Sequence, residues 1–536
     1  MVTRDQRSFL ALEQGTATTS GAIIAWGAGR WRLVGSAAAP AGVDEEAILR
    51  LLARRLREAD PDLAATLDAR PETIGLWPRL AVRSEPPRRI AVVAATERAL
   101  VPLVIAAQQS GWDVRSASTE RRDPLQVTKL ALDYDVDAVL VGADQPPRAD
   151  ERSAVGDLGA LVSAAATRRS DLSVVLAGGM AEQLPRFEVD PASREGTLVV
   201  AAAATAGSPP GSLLRERLED LRAGTHEGRR ALIRAAGTIA EALDRRVEVI
   251  DIGLTASTRV VASPAPGGGA ATVEARVLST AGLVPSETDD HTIDRILAWL
   301  TISLDRYRLR DRLAELRLAP WADAAGEGAD LRLAAARVAL ARLLESTTEL
   351  DPESGPDLVV VAGGAWAVVP EPVVALAVSD VLRRPGSRQL AYDHSRLLGA
   401  LGTVDDPTER RHLVADLASD LLVPLGSVVM PQGMRAGRTA GHLTIHRGED
   451  RTERDLAGGI VERISLSPGQ RAVAEIAFRD AVRLGARGKH YAVEVVGGLA
   501  GLLIDLRDVP LRLPERADRR REQLRAWQAA IRGVTP

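Results

Sequence analysis

The chain contains no cysteine, and of its 68 basic residues only Lys129 and Lys489 are lysines. Aromatic residues make up 3% and histidines number seven. Without a thiol there is no disulfide framework, no thiolate zinc site, no cysteine nucleophile and no cysteine-held iron–sulfur cluster. A phosphate loop of the GxxxxGK[ST] type needs lysine followed by Ser or Thr. Lys129 precedes Leu130; Lys489 precedes His490, with Arg483 where the first glycine should stand. Neither lysine can serve. Net charge is −4 and the basic residues are spread along the chain, so no nucleic-acid-binding face stands out.

Long apolar runs are also missing. The first residues, Met1 to Arg7, reach Glu13 before a signal-type apolar region can form. The most apolar later stretch, Asp357 to Asp380, is broken by Gly363-Gly364 and by Pro370-Glu371-Pro372, which argues against a membrane span. The expectation is a cytoplasmic chain with neither a membrane nor a nucleic-acid partner.

What is present is 536 residues, enough for three or four domains at roughly 150 each. Residues 9–39 read as strand, Gly/Thr turn, strand, Gly turn, strand, and 44–59 as an amphipathic helix behind Asp44. From 88 to 205 short apolar strands (Ile90–Ala95, Trp112–Arg115, Ala138–Gly142, Leu172–Ala177) alternate with helices at 97–110, 124–134 and 151–169. This is the βαβ pattern of a covered parallel sheet. Pro146-Pro147 and Gly178-Gly179 follow two of its strands and read first as turns. Further on come helix 212–244, the strand-and-turn run Val247–Thr255, helical blocks at 291–318 and 330–348, strand Asp357–Ala362, helix 371–383, strand 388–391 and helix 409–420. After Pro424, β-like runs separated by glycines predict a small β-rich domain, closed by the charged helix Glu515–Ile531.

Three glycine-bearing loops could carry chemistry. Glu13-Gln14-Gly15-Thr16-Ala17-Thr18-Thr19 and Asp251-Ile252-Gly253-Leu254-Thr255 each place a carboxylate two residues before glycine and then hydroxyl residues. Glycine lets backbone N–H groups approach an anion, Ser/Thr hydroxyls donate to it, and a carboxylate can hold a hydrated magnesium ion. The third loop, Val361-Ala362-Gly363-Gly364, follows a buried-type strand and could lie against a base and ribose. The same residues can also simply brace tight turns. His442 and His446 lack His-Glu-x-x-His spacing and read as a surface pair. Asp505 with Arg507 reads as a structural contact, and Gly267-Gly268-Gly269 as a loop tip.

This set of loops resembles the actin-like ATPase superfamily of sugar kinases, actin and the seventy-kilodalton chaperones. More narrowly, the chain resembles the MutL accessory family associated with glutamate mutase (unrelated to the mismatch-repair protein of that name). The stretches that carry this are Leu12–Ser20, Val141–Asp144, Leu176–Gly179, Asp251–Thr258, Pro424–Ser427, Val496–Arg507, Pro510–Pro514 and Trp527. The resemblance implies an α/β, two-lobed actin-like (ribonuclease H-like) fold with an α/β insertion and a small C-terminal β-rich domain. It places the first lobe at 1–88, the insertion at 89–210, the second lobe at 211–421 and the β-rich domain at 422–536. It implies ATP or ADP held by Glu13, Gly15, Thr16, Thr18, Asp251, Gly253, Thr255, Gly363 and Gly364. Mg2+ would be held through water by Glu13 and Asp251. A protein partner, an adenosylcobalamin-dependent mutase or similar enzyme, would be assisted by a chaperone or reactivating factor.

Four positions depart from the family pattern. Glu13 stands for aspartate, Ser20 for a lysine, Leu254 for a second glycine and Thr258 for a second carboxylate. The missing lysine and second carboxylate weaken metal and phosphate binding, and the Leu254 side chain crowds the backbone approach to phosphate. They leave two alternatives: a scaffold of the same fold without turnover, and, ranked last, a small-molecule phosphotransferase. The catalytic residues and the oligomeric state are left open.

Overall fold

A computed structural model describes residues 8–85, 87–121, 124–149, 151–187, 195–201, 213–221, 228–267, 269–284, 289–321, 326–345, 355–367, 369–434, 436–507 and 509–533. Parts of two expected helices, 222–227 and 346–348, and Gly268 lie outside the described residues.

The first lobe is built on four strands, β1 (Ser8–Gln14), β2 (Thr18–Gly27), β3 (Arg30–Pro40) and β4 (Arg79–Arg83), in the order β3-β2-β1-β4. The first three are antiparallel hairpin neighbours, and β4 joins β1 in parallel. Helix Glu45–Ala59 crosses one face. Asp44 caps it by accepting from the Ala47 amide at 2.7 Å, and Ile48, Leu52 and Leu56 are buried on the sheet.

The insertion follows at once. Its strands β5 (Arg89–Ala94), β6 (Asp113–Ser118), β7 (Ala138–Ala143), β8 (Ser173–Gly178) and β9 (Leu198–Ala201) are all parallel, in the order β6-β5-β7-β8-β9. This is the doubly wound pattern, in which ligands favour the point where strand order reverses. Here that point is filled from within. Arg98 pairs with Asp144, and the Glu97 amide at the start of helix Glu97–Gln109 donates to Glu120 at 2.9 Å. A Cβ on Gly179 would lie 2.5 Å from the Asp144 carbonyl and 2.6 Å from Pro147, so the two expected turns pack on each other.

The second lobe repeats the first. Strands β10 (Val247–Ile252), β11 (Ser257–Ser263), β12 (Thr272–Leu278) and β13 (Leu358–Ala362) take the order β12-β11-β10-β13, again with two antiparallel neighbours and one parallel. Strand β14 (Gly386–Asp393) adds in parallel to β13. The repeated strand order and pairing identify the two-lobed actin-like fold expected from the sequence.

The sheet does not end there. Strand β15 (Leu422–Met430) pairs antiparallel with β14. Strands β16 (Thr439–Arg447), β17 (Asp450–Ala457), β19 (Arg471–Leu484) and β20 (Ala486–Val496) form a separate sheet in the order β17-β16-β19-β20. Strands β18 (Val461–Ile464) and β21 (Leu502–Asp505) return to the large sheet beyond β15. The β-rich region is therefore partly an extension of the second lobe. The polar edge strand β17 (Asp-Arg-Thr-Glu-Arg-Asp-Leu-Ala) was not expected from the sequence, because an exposed edge tolerates charge that hides the usual alternation. The expected block 291–318 is two helices, Asp290–Trp299 and Arg306–Leu318. The break falls where Asp305 caps the second by accepting from the Arg308 amide at 2.9 Å.

The C-terminal helix Ala517–Arg532 is fastened by a buried ionic network. Arg507 donates to Asp505 at 2.8 and 2.7 Å and to Asp380 at 2.6 Å, and its guanidinium lies over the Trp527 ring at 4.5 Å. Arg337 donates to the other Asp380 oxygen at 2.7 Å. Burial works against the Asp505 charge, but Arg507 and Arg383 outweigh it and hold the carboxyl below its usual range. Truncation of one member leaves buried charges unpaired. Arg507→Ala should lose about 3–5 kcal/mol in urea unfolding followed by circular dichroism; a loss under about 1 kcal/mol would contradict a structural role.

Candidate functional site

Hairpins β1–β2 and β10–β11 are built alike. In the first, the Gly15 amide donates to the Thr18 carbonyl at 2.7 Å; in the second, Gly253 donates to Ala256 at 2.9 Å. Each glycine opens a tight turn just beyond a strand whose penultimate residue is a carboxylate. Register then sets Glu13 opposite Ser20 and Asp251 opposite Thr258. The parallel strands β10, β13 and β14 deliver Asp251, Gly363 and Asp393 at the same end of the second sheet.

These elements converge on one cavity. All nine residues expected to hold nucleotide line it: Glu13, Gly15, Thr16, Thr18, Asp251, Gly253, Thr255, Gly363 and Gly364. Ser20, Leu254 and Thr258, where the chain departs from the family pattern, line it too. Leu254 is 4% exposed and belongs to the second lobe's core, while its carbonyl accepts from the Val284 amide at 2.8 Å. Its side chain is thus largely spent on packing.

Three charged lining residues were missed in the sequence: Arg229, Asp393 and Arg396. The only signal for Asp393 was a carboxylate at the end of a β-run beside β13. Nothing marked either arginine. Asp393 accepts from the Leu397 and Leu398 amides at 3.1 and 3.3 Å, which braces the turn carrying Arg396. Arg396 adopts a left-handed backbone with φ of 54° and is 8% exposed. Its guanidinium donates to Ser20 Oγ at 3.4 Å, across from one lobe to the other.

Two glycines stand where a side chain would crowd a carboxylate. Gly363 has φ of 97°, and a Cβ there would meet Asp251 Oδ1 at 2.5 Å and the Ile252 carbonyl at 2.4 Å. A Cβ on Gly399 would come within 2.7 Å of Glu13 Oε2.

The cleft holds three carboxylates and two guanidiniums. Burial, reinforced by Asp393 and Asp251, pushes the Glu13 carboxyl well above its usual value against the pull of Arg396. Burial raises Asp251 to about 6, although Arg229 and Arg396 oppose it. Asp393 also reaches about 6, raised by burial and by Asp251 against the Leu397 and Leu398 amides. Burial lowers Arg229 in turn.

The lining suits a magnesium-bearing phosphate group. Thr18 Oγ1, Thr255 Oγ1 and Arg396 Nε are buried without a hydrogen-bond partner, and a buried polar atom left so is costly. Phosphate oxygens would satisfy all three. Among the described residues, no group of three or more His, Asp or Glu is placed to hold a metal. Magnesium characteristically uses one or two carboxylates with water and phosphate completing its shell, and Glu13 and Asp251 could supply these. The space itself is small. The cavity measures about 60 Å3, against roughly 300–1,000 Å3 for small-molecule sites. A neighbouring recess of about 350 Å3 shares Gly15, Thr16 and Ser84. A nucleotide therefore needs the lobes to part.

The other sequence candidates lie elsewhere. His442 Nδ1 stands 3.0 Å from Asp455, and His446 Nε2 stands 3.1 Å from Glu475 on another strand. No helix among the described residues is long and apolar enough to cross a membrane.

No protein-family model and no curated protein matches the chain. Solved structures similar to it include component A of the Acidaminococcus fermentans (R)-2-hydroxyglutaryl-CoA dehydratase. That structure is 9% identical, covering 73% of this chain and 95% of its own, with a TM-score of 0.24. The PilM–PilN type IV pilus biogenesis complex is 12% identical over 76% and 96%, with a TM-score of 0.20. The Aquifex aeolicus Ppx/GppA phosphatase is 10% identical over 77% and 91%, with a TM-score of 0.19.

A carboxyl whose value rises on folding favours the folded state while protonated. For Asp251 that advantage is complete below about 4 and is lost as pH climbs through about 6. Asp251→Asn should therefore stabilise the ligand-free protein at pH 7.5 by about 1–3 kcal/mol, and the gain should vanish near pH 4. Equal melting temperatures of variant and parent at pH 7.5 would contradict this.

Proposed function

We propose that the chain is an actin-like nucleotide-binding accessory protein. One observation carries this reading: two matching hairpins present Glu13 and Asp251 to a single cleft beside unpartnered buried donors. In the proposed complex, Thr18, Thr255 and Arg396 donate to phosphate oxygens. Glu13 and Asp251 face the hydrated magnesium, which neutralises phosphate charge that these carboxylates would otherwise repel. Gly363 and Gly364 give the base and ribose a surface without side chains. Arg396, on the second lobe but touching Ser20 of the first, couples occupancy to lobe closure. A nucleotide shifts that equilibrium only by its different affinity for the open and closed arrangements.

The accessory role rests on the family resemblance. The partner proposed is an adenosylcobalamin-dependent mutase or similar enzyme, kept active by a chaperone-like or reactivating cycle. A second reading, a scaffold without nucleotide turnover, is favoured by the small cavity together with Ser20, Leu254 and Thr258.

Thermal unfolding separates the two. Mg·ADP at about a hundred times its dissociation constant should add about 2.7 kcal/mol, and Asp251→Ala should abolish the shift. No shift with millimolar ATP or ADP would leave the scaffold. Recovery of an inactivated adenosylcobalamin-dependent mutase on addition of this protein and Mg·ATP tests the partner; unchanged mutase activity would reject it.

A further inference from the structure

Strands β10, β13 and β14 have a second end. One end delivers Asp251, Gly363 and Asp393 to the cleft. At the other, Arg245, Leu358 and Gln389 line a separate cavity of about 410 Å3. Leu358 and Gly363 are five residues apart, about 16 Å along the strand, so the two sites do not merge. The cavity lies within the size range of small-molecule sites.

Its wall is largely apolar, with Leu243, Leu358, Leu390 and Ala418 prominent. The charged lining residues are Arg30 and Arg245, with no carboxylate among them. Arg245 donates to Gln389 Oε1 at 2.7 Å and to the Asp357 carbonyl at 2.9 Å, both neutral. Neither arginine forms an ion pair among the described residues. An apolar hollow with two unneutralised guanidiniums is complementary to one kind of occupant, an apolar chain with an anionic head.

We infer that this cavity binds a small amphipathic carboxylate. The aliphatic part covers the leucines and Ala418, and the head takes paired N–H donors from arginine, the geometry that suits a carboxylate. The site also bridges the molecule. Arg30 belongs to β3 of the first lobe, while most of the wall belongs to the second. Helix Pro407–Leu421, which supplies Ala418, is clamped to β3. Its Asp416 accepts from the Trp31 amide at 3.1 Å, and Asp420 accepts from Arg32 Nε at 2.9 Å and the Leu33 amide at 3.1 Å. An occupant would touch both lobes at their joint, at the far end of the strands from the nucleotide cleft.

Sodium decanoate, titrated calorimetrically into the full chain, tests this without any nucleotide. Saturable binding is expected for decanoate but not for decylamine. Arg30→Gln, at a half-buried position, should weaken decanoate binding about tenfold or more. Ala418→Trp, which fills the hollow, should abolish it, with circular dichroism confirming that each variant is folded. Absence of saturable binding, equal binding of decylamine, or decanoate affinity unchanged in both variants would overturn the assignment.

Discussion

The structure is constrained by three carboxylates gathered where two lobes meet. Glu13, Asp251 and Asp393 repel one another, and burial removes the water that would screen them. Arg229 and Arg396 offset this within the cleft, helped by backbone amides at Leu397, Leu398 and Gly399. Much of the surrounding backbone serves to tolerate that arrangement. Gly363 and Gly399 give up side chains where the carboxylates need room, and the Leu397 and Leu398 amides hold Asp393 in place. Natural proteins keep such unfavourable groupings where a ligand later relieves them, which is why this cleft rather than a larger cavity is read as the site.

The lobes are also held together by contacts other than the ionic groups of the cleft. One hydrophobic cluster runs through both, joining Phe9, Ile24 and Trp31 of the first to Ile239, Val260 and Leu417 of the second. Trp321 donates its indole N–H to the Ala17 carbonyl at 2.9 Å, tying the turn of the first hairpin to the opposite lobe. The preference for arginine over lysine is part of this construction. A planar guanidinium can serve two carboxylates and stack on an indole, as Arg507 does. In the interior, Arg259 likewise meets Glu248 at 2.5 Å. A lysine could not make these contacts in the same way.

Much of this was legible in the sequence because hairpins and βαβ units are local. The order of strands through 9–39, the alternating insertion and the two acidic-x-Gly turns all follow from neighbouring residues. The continuity of the second sheet across residue 422 was not, since it depends on β15 pairing with β14 and on β21 returning beside it. Edge strand β17 was hidden by its charge. Arg229 and Arg396 reach the cleft from a helix and a turn far from either hairpin, where spacing along the chain carries no information. Leu254 read as an obstacle to phosphate; in the fold most of its side chain is core.

The central claim is that the cleft is a nucleotide site, closed in this structure, that must open to admit its ligand. The absence of cysteine makes a clean lock available. A Cβ on Gly364 would lie 3.5 Å from the Ala17 Cβ, on opposite lobes and within disulfide reach. In the double variant Ala17→Cys/Gly364→Cys, calorimetric binding of Mg·ADP should be weakened by the added side chains when the pair is reduced and absent when it is oxidised. Equal binding in both states, or none in the unsubstituted protein, would contradict the account.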